Sequence, residues 1–290
     1  MRALIDLHAH STASDGTDTP AELIEHAAAR GLDVVAITDH DTTAGWAAAL
    51  RAREQLRRPL TVVPGTEFSC VHVAASGRQV NLHLLGYLFD PEHPALRAER
   101  VGQRAARRSR AATIVQRMVD DGVPISWEHV AEYAGGGPVG RPHIGRALVA
   151  AGVVADVNAA FAGPLSHTSP YYVGKPNTDV LRMIDLVRAA GGVSVFAHPL
   201  AHRRGPIVDE PAIAEMAAHG LVGIEADHPD HDDPARAQVR ALATDLGLIV
   251  TGSSDYHGTN KTRNQLGACT TAPEAYEALF DRPTARRPVG

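Results

Sequence analysis

Cysteine is almost absent from this 290-residue chain: Cys70 and Cys269 stand alone, and neither lies in a C-x-x-C pair. Two such residues build no disulfide framework and no cysteine zinc site. Lysine is equally scarce, with Lys175 and Lys261 as the two examples, so the basic charge is carried by arginine. Aromatic residues make up 4%, too few for a platform on which a long single strand of nucleic acid stacks. No run approaches the roughly 18 to 20 apolar residues that a membrane-crossing helix needs, and residues 1–7 are too short and too acidic for a secretory leader. The expectation is a soluble, cytoplasmic protein with no membrane partner. A net charge of -5 gives no global attraction to polyanions, which leaves local basic sites as the route to one.

Histidine is what the sequence has in abundance, 16 residues against five Phe and two Trp. Their placement follows the pattern of secondary structure. Short β-branched runs at 3–9, 33–38, 60–65 and 81–87 alternate with amphipathic stretches, and the rhythm returns at 191–197, 221–226 and 246–254, with a last short strand expected near 266–269. The first helix has a defined start: Thr19 and Glu22 form a capping box, Pro20 occupies the first turn, and Gly31 closes it. Between residues 94 and 171 the strand signal gives way to helices near 94–121, 126–133, 140–151 and 156–162, broken at Gly122, Gly135 to Gly137 and Gly152. The expected organisation is a β/α barrel of 1–93 and 172–282, a helical insert of 94–171 covering its mouth, and a frayed tail of 283–290.

Strands alternating with helices fit either a parallel barrel or a doubly wound sheet. A barrel collects its chemistry at the C-terminal ends of many strands, which open on one face. Nearly every predicted strand here ends in a metal-type donor. His8 and His10 follow the first, Asp39 and His40 the second, Glu67 the third; His83 lies in the fourth, and His198, Glu225 and the Asp255/His257 pair follow later ones. In DLHAHS the two imidazoles at i and i+2 point the same way on an extended segment and can chelate one ion. SSDYH repeats that spacing with a carboxylate and an imidazole. Singly, Asp15 in SDGT fits a turn former, Asp39 and Asp41 fit helix caps, and His83 and His198 fit hydrogen-bonded core histidines. As a set they point to a polynuclear centre.

The series DLHAHS, SDGT, ITDHD, GTEF, HLLG, AHP and GSSDYH resembles the polymerase and histidinol phosphatase (PHP) family in order and spacing, over the whole chain except the tail. The resemblance implies a distorted seven-stranded (β/α)7 barrel with its metal centre at the C-terminal face. It implies that His8, His10, Glu67 and Asp255 bind one divalent ion, that Asp15, His40 and His257 hold a second, and that Glu67, His83 and His198 hold a third, with Glu67 bridging. His8, His10, Asp255 and His257 are the expected catalytic set. Many relatives carry histidine where Asp15 stands, so this second site is harder, which favours manganese, magnesium or iron over zinc. Three divalent ions against three carboxylates leave about +3 at the mouth, and two ions leave about +1, a charge suited to a phosphate. Two or three ions, manganese foremost, are the expected cofactors.

The insert carries GRPHIGRAL, with Arg141 and His143 at the start of a helix, where a second anion can be bound. A similar RPH segment occurs in small PHP phosphoesterases that act on nucleotides. Lys175, His202 and His228 are further expected phosphate contacts, as is the AHRR run that ends at Arg204. Arg97 to Arg110 contains six arginines and one glutamate, which fits a solvated helix face or a polyanion grip. The resulting expectation is a hydrolase of nucleoside 3',5'-bisphosphates or short 5'-phosphorylated oligonucleotides, with no stable protein partner. Two alternatives are hydrolysis of histidinol phosphate at the same centre and, from another class, a non-catalytic PHP module kept for structure or for docking to a polymerase.

Overall fold

A computed structural model describes residues 3–74, 76–135, 137 and 139–290. Residues 1 and 2 of the N-terminal segment considered as a leader, and Gly136 of the predicted helix break, lie outside them. Chain order is β1 (Ile5–Asp6), α1 (Pro20–Ala29), β2 (Val34–Ile37), α2 (Trp46–Gln55), β3 (Thr61–Val73) and β4 (Gln79–Tyr87). Four helices follow without an intervening strand: α3 (Pro94–Asp120), α4 (Trp127–Tyr133), α5 (Arg141–Ala150) and α6 (Val157–Ala162). The chain then runs through β5 (Thr178–Asp179), α7 (Val180–Ala189), β6 (Val193–Phe196), α8 (Glu210–His219), β7 (Gly223–Asp227), α9 (Asp233–Leu246), β8 (Ile249–Gly252) and α10 (Pro273–Phe280).

The sheet order is β1-β2-β3-β4-β6-β7-β8, with the short β5 paired to β3. Its ends nearly meet. Ala9 forms a parallel bridge with Tyr256, and Thr271 N–H donates to the Ile5 carbonyl at 2.9 Å. This is the distorted β/α barrel with a helical insert. It is not wholly parallel, however: β4 runs antiparallel to both β3 and β6. The reason is chain length, since only residues 74–78 separate β3 from β4, and a parallel return needs a crossover of a dozen residues or more. The strand expected at 266–269 is absent; those residues form turns, and Thr271 ties the segment to β1 and β8 through its backbone and hydroxyl.

Burial explains the short strands. Along β2, Val34 and Ala36 face a core inside the barrel with Ile5, Leu7, Val63, Tyr87 and Val195. Val35 and Ile37 face the opposite way, into the layer between sheet and helices. A strand buried on both faces reads as an unbroken apolar run, which is why these segments stand out in the sequence. Across the barrel, Tyr87 donates its hydroxyl to the Leu7 carbonyl at 2.7 Å. The α1 capping box is present, with Glu22 N–H on Thr19 Oγ1 at 3.2 Å and Thr19 N–H on Glu22 Oε2 at 2.7 Å.

The helices α3 to α6 enclose a third apolar cluster of their own, built on Ile114, Met118, Ile144 and Leu148. The C-terminal tail, expected to fray, is instead laced to the barrel. Val289 and Val62 exchange backbone hydrogen bonds, Arg286 N–H donates to Leu88, and the Arg286 guanidinium lies 5.6 Å from the centre of the Trp46 ring. Among the described residues no helix is long and apolar enough to cross a membrane.

Candidate metal centre

Nine donor side chains converge where the strands end. His8 and His10 leave β1 on a segment fixed from both sides: His10 N–H donates to Tyr256 and the Ala9 carbonyl accepts from Thr38, each at 2.8 Å. His40 follows β2 and is bridged to Glu67, which sits within β3. His83 lies in β4, while His198 follows β6 and Asp255 and His257 follow β8. Asp15 is carried by a loop that Asp39 organises. One Asp39 oxygen accepts from Ser11 N–H (2.8 Å) and Ser14 Oγ (2.6 Å), and the other accepts from Ser11 Oγ (2.7 Å). Asp39 is therefore a structural tie, neither ligand nor helix cap. Asp41, His198 and Asp255 adopt left-handed backbone conformations (φ of 54°, 33° and 52°). Such conformations cost a non-glycine residue of order 1–3 kcal/mol and are kept where surrounding contacts impose them.

Three gatherings of donors emerge, each with its ligand atoms within 4.8 Å of one another. In the first, His8 Nε2 and His10 Nε2 are 3.1 Å apart, Glu67 Oε2 lies 3.2 and 3.0 Å from them, and Asp255 Oδ1 lies 3.4 and 3.5 Å away. In the second, Asp15 faces His40 Nε2 (3.6 Å) and His257 Nε2 (3.4 Å), with His10 Nδ1 at 3.6 Å. In the third, His83 Nδ1 and His40 Nδ1 approach the two Glu67 oxygens at 2.7 and 3.2 Å. His198 Nε2 lies 3.0 Å from Glu67 Oε1. Glu67 thus touches five imidazoles.

The donor set fits divalent ions. Buried polar atoms are normally hydrogen-bonded, yet His40 Nδ1, His83 Nδ1 and Asp255 Oδ1 have no hydrogen bond of usable geometry despite their close neighbours. All three point into the gatherings. From the protein's own charges, burial opposes ionisation of Asp15, Glu67 and Asp255, but the surrounding imidazoles and, at Asp255, Lys261 and Arg204 hold all three well below the usual carboxylate range. Burial pushes His257 down to about 4. Carboxylates stay ionised at neutral pH, as hard-cation ligands must.

The expected anion contacts are more scattered. Arg141, at the start of α5, stacks 5.1 Å from the Phe161 ring centre and donates to the Leu165 carbonyl at 3.3 Å; burial and then Arg110 push it down to about 10. His143 accepts the Gly140 N–H on Nδ1 at 3.0 Å. Lys175 donates to Gln103 Oε1 at 2.6 Å and lies 3.8 Å from Asp41. His228 reaches the centre, with Nε2 at 3.3 Å from Asp255 Oδ2, whereas His202 is exposed on a short 3-10 turn.

Four further residues matter to the site. Glu225 accepts from His8 Nδ1 (3.3 Å), the His198 backbone N–H (2.9 Å) and Ser253 Oγ, fixing the His8 imidazole and the backbone that carries His198. Expected as a donor following its strand, Glu225 lies inside β7 and supports the donors of the gatherings. Arg204 and Lys261 both reach Asp255 Oδ2, and Arg107 joins α3 to Asp41. Three of the six arginines of the run are turned inward: Arg100 is buried on Pro91 and Thr43, Arg107 is on Asp41, and Arg110 is on the Val173 carbonyl.

A barrel with clustered histidine and carboxylate donors at its strand ends, suited to divalent ions, defines a metal-dependent phosphoesterase. Comparison with known proteins agrees. Residues 6–115 match the model of the PHP domain. The 5'-3' exoribonuclease Rnm of Salmonella typhimurium is 32% identical over 88% of this chain and 85% of its own. The 3',5'-nucleoside bisphosphate phosphatase of Chromobacterium violaceum is 30% identical over 98% of both. A solved structure from Bifidobacterium adolescentis, a candidate metal-dependent phosphoesterase, superposes with a TM-score of 0.90 at 36% identity over 96% of both chains. The chain belongs to the PHP family of metal-dependent phosphoesterases, and it is an enzyme that hydrolyses phosphate esters.

Proposed function

We propose that the ester is carried by a nucleoside 3',5'-bisphosphate or by the 5' end of a short phosphorylated oligonucleotide. One observation carries this reading. Along the seam between insert and barrel, Arg107 and Lys175 lie 2.8 and 3.8 Å from the carboxylate of Asp41, and Arg110 and Arg141 add their charges to the same positive region. Burial and then the neighbouring arginines depress Lys175 to about 8 against the pull of Asp41, so several positive charges share one carboxylate and have room for a further counterion. A second phosphate, distinct from the one being cleaved, supplies it. Similarity to the Salmonella exoribonuclease and the Chromobacterium bisphosphate phosphatase supports the same substrate class.

In this reading His8, His10, Glu67 and Asp255 hold one divalent ion, Asp15, His40 and His257 a second, and Glu67, His83 and His198 a third. His10 and His40 face neighbouring gatherings and keep the set compact. Divalent ions so held acidify water and neutralise phosphoryl oxygens. The hard oxygen of Asp15 favours manganese. The chain's own part is to fix the donors: Glu225 orients His8, Asp39 holds the Asp15 loop, and Glu67 spans the gatherings. His228, whose Nδ1 accepts the Asp230 N–H at 2.9 Å, presents its Nε2–H towards Asp255.

The test is phosphate release by manganese-reconstituted protein from adenosine 3',5'-bisphosphate, AMP, histidinol phosphate and a 5'-phosphorylated RNA trimer. Preference for the bisphosphate or the trimer over AMP by about tenfold or more is expected, the worth of one charge-assisted contact. Turnover of histidinol phosphate alone overturns the nucleotide reading.

A further inference from the structure

Arg204 stands at the edge of the centre with each of its three guanidinium nitrogens differently engaged. Nε donates to Asp230 Oδ2 at 2.7 Å, Nη2 donates to Asp255 Oδ2, and Nη1 lies 3.0 Å from His198 Nε2. Lys261 Nζ reaches the same Asp255 Oδ2 at 2.7 Å. Asp255 is thereby divided, Oδ1 facing His8 and His10 and Oδ2 facing two cations. The Arg204 and Lys261 side chains are 29% and 30% exposed, so they border the open mouth and not the sealed core.

His198 Nε2 has one lone pair. It also lies 3.0 Å from Glu67 Oε1, so an ion held jointly by Glu67 and His198 takes that lone pair. A guanidinium only donates. Nη1 then loses its acceptor, while Asp230 and Asp255 still tether the other two nitrogens and hold the group at the centre. A planar donor fixed beside the ligands matches the oxygens of a phosphoryl group.

We infer that Arg204, backed by Lys261, is a clamp on the phosphoryl group being hydrolysed, with Nη1 donating to one of its non-bridging oxygens. The clamp is separate from the seam cluster, because the Arg204 hydrogen bonds go to barrel residues. It rests on phosphate-ester hydrolysis at this centre and holds for any ester, nucleotide or not.

Manganese-loaded wild type, Arg204→Gln, Arg204→Lys and Asp230→Asn are compared by metal content, by calorimetric affinity for inorganic phosphate, and by kcat and KM on p-nitrophenyl phosphate. Arg204→Gln is expected to keep its metal and to bind phosphate about 10- to 100-fold more weakly, the range for a hydrogen bond to a charged group. Its kcat should fall by about 100-fold or more, as on losing a donor to developing charge. Arg204→Lys recovers part of both losses. Asp230→Asn, which only loosens the tether, gives a smaller loss of phosphate affinity with metal unchanged. Unaltered phosphate affinity in Arg204→Gln overturns the clamp. So does loss of metal from that variant, which makes Arg204 a tie for Asp255 and nothing more. Arg204-dependent phosphate binding in an enzyme that rejects nucleotides leaves the clamp standing and removes the nucleotide reading.

Discussion

Arg107 of α3 reaches from the insert to Asp41 at the barrel mouth, placing Nε at 3.2 Å and Nη2 at 2.8 Å from one carboxylate oxygen. The same Asp41 accepts Ser69 N–H at 2.8 Å and is fully buried. The insert has its own apolar core, and this polar seam is one of the ties that hold it to the barrel.

Arg107→Met should therefore leave Asp41 buried without its hydrogen-bonded cation, Lys175 at 3.8 Å being the remaining charged partner. A loss of about 3–5 kcal/mol is expected in urea unfolding. Adding Asp41→Asn to it should recover part of the loss, because the stranded charge is removed. Additive losses in the double variant contradict direct coupling between the two residues.

Lys175 gives the bisphosphate reading a pH signature. Its folded value, about 8, lies below its usual 10.5, so the buried ammonium loses its proton as pH rises through 8. The KM for adenosine 3',5'-bisphosphate should climb above pH 8 while that for AMP stays level, and Lys175→Met should abolish the difference. Stability moves the opposite way: between about pH 8 and 10.5 the unfolded chain binds the extra proton, so this lysine makes unfolding harder as pH rises. Parallel KM profiles for the two substrates would remove Lys175 from the second-phosphate site.

Glu225 acts on the centre through His8. By accepting from Nδ1 it fixes the tautomer whose Nε2 lone pair faces His10 and Glu67. Glu225→Gln is expected to weaken divalent-ion affinity by about 10- to 100-fold, as such supporting groups do, read by competition with a chelating dye. Equal affinity in wild type and variant refutes this positioning role.

Chelation and reload test the centre as a whole. Removing divalent ions should abolish phosphatase activity, and manganese should restore it together with a rise in thermal stability. At a hundredfold excess over Kd the gain is about 2.7 kcal/mol. His10→Ala, which damages two gatherings, should lose most of that response and at least about 100-fold in activity. A His10→Ala protein with full response to manganese would show that the first two gatherings are wrongly drawn.

The sequence by itself determined the strands with two buried faces, the α1 capping box, the four insert helices and the donors themselves. Each is announced by local chemistry: an apolar run, a Thr and Glu three apart, a histidine or carboxylate breaking an apolar segment. Tertiary structure decided what those donors share. That His40 faces both Glu67 and Asp15, or that Asp39 ties Ser11 and Ser14, depends on side-chain direction at strand ends, which residue type does not encode. The antiparallel β4 and the anchored tail are likewise set by chain closure and by contacts far apart in sequence, such as Val62 with Val289. The cations were hardest to read, because one arginine looks like another in a run. Only the fold turns Arg107 inward to Asp41, Arg110 to a backbone carbonyl, and Arg204 towards the metal centre.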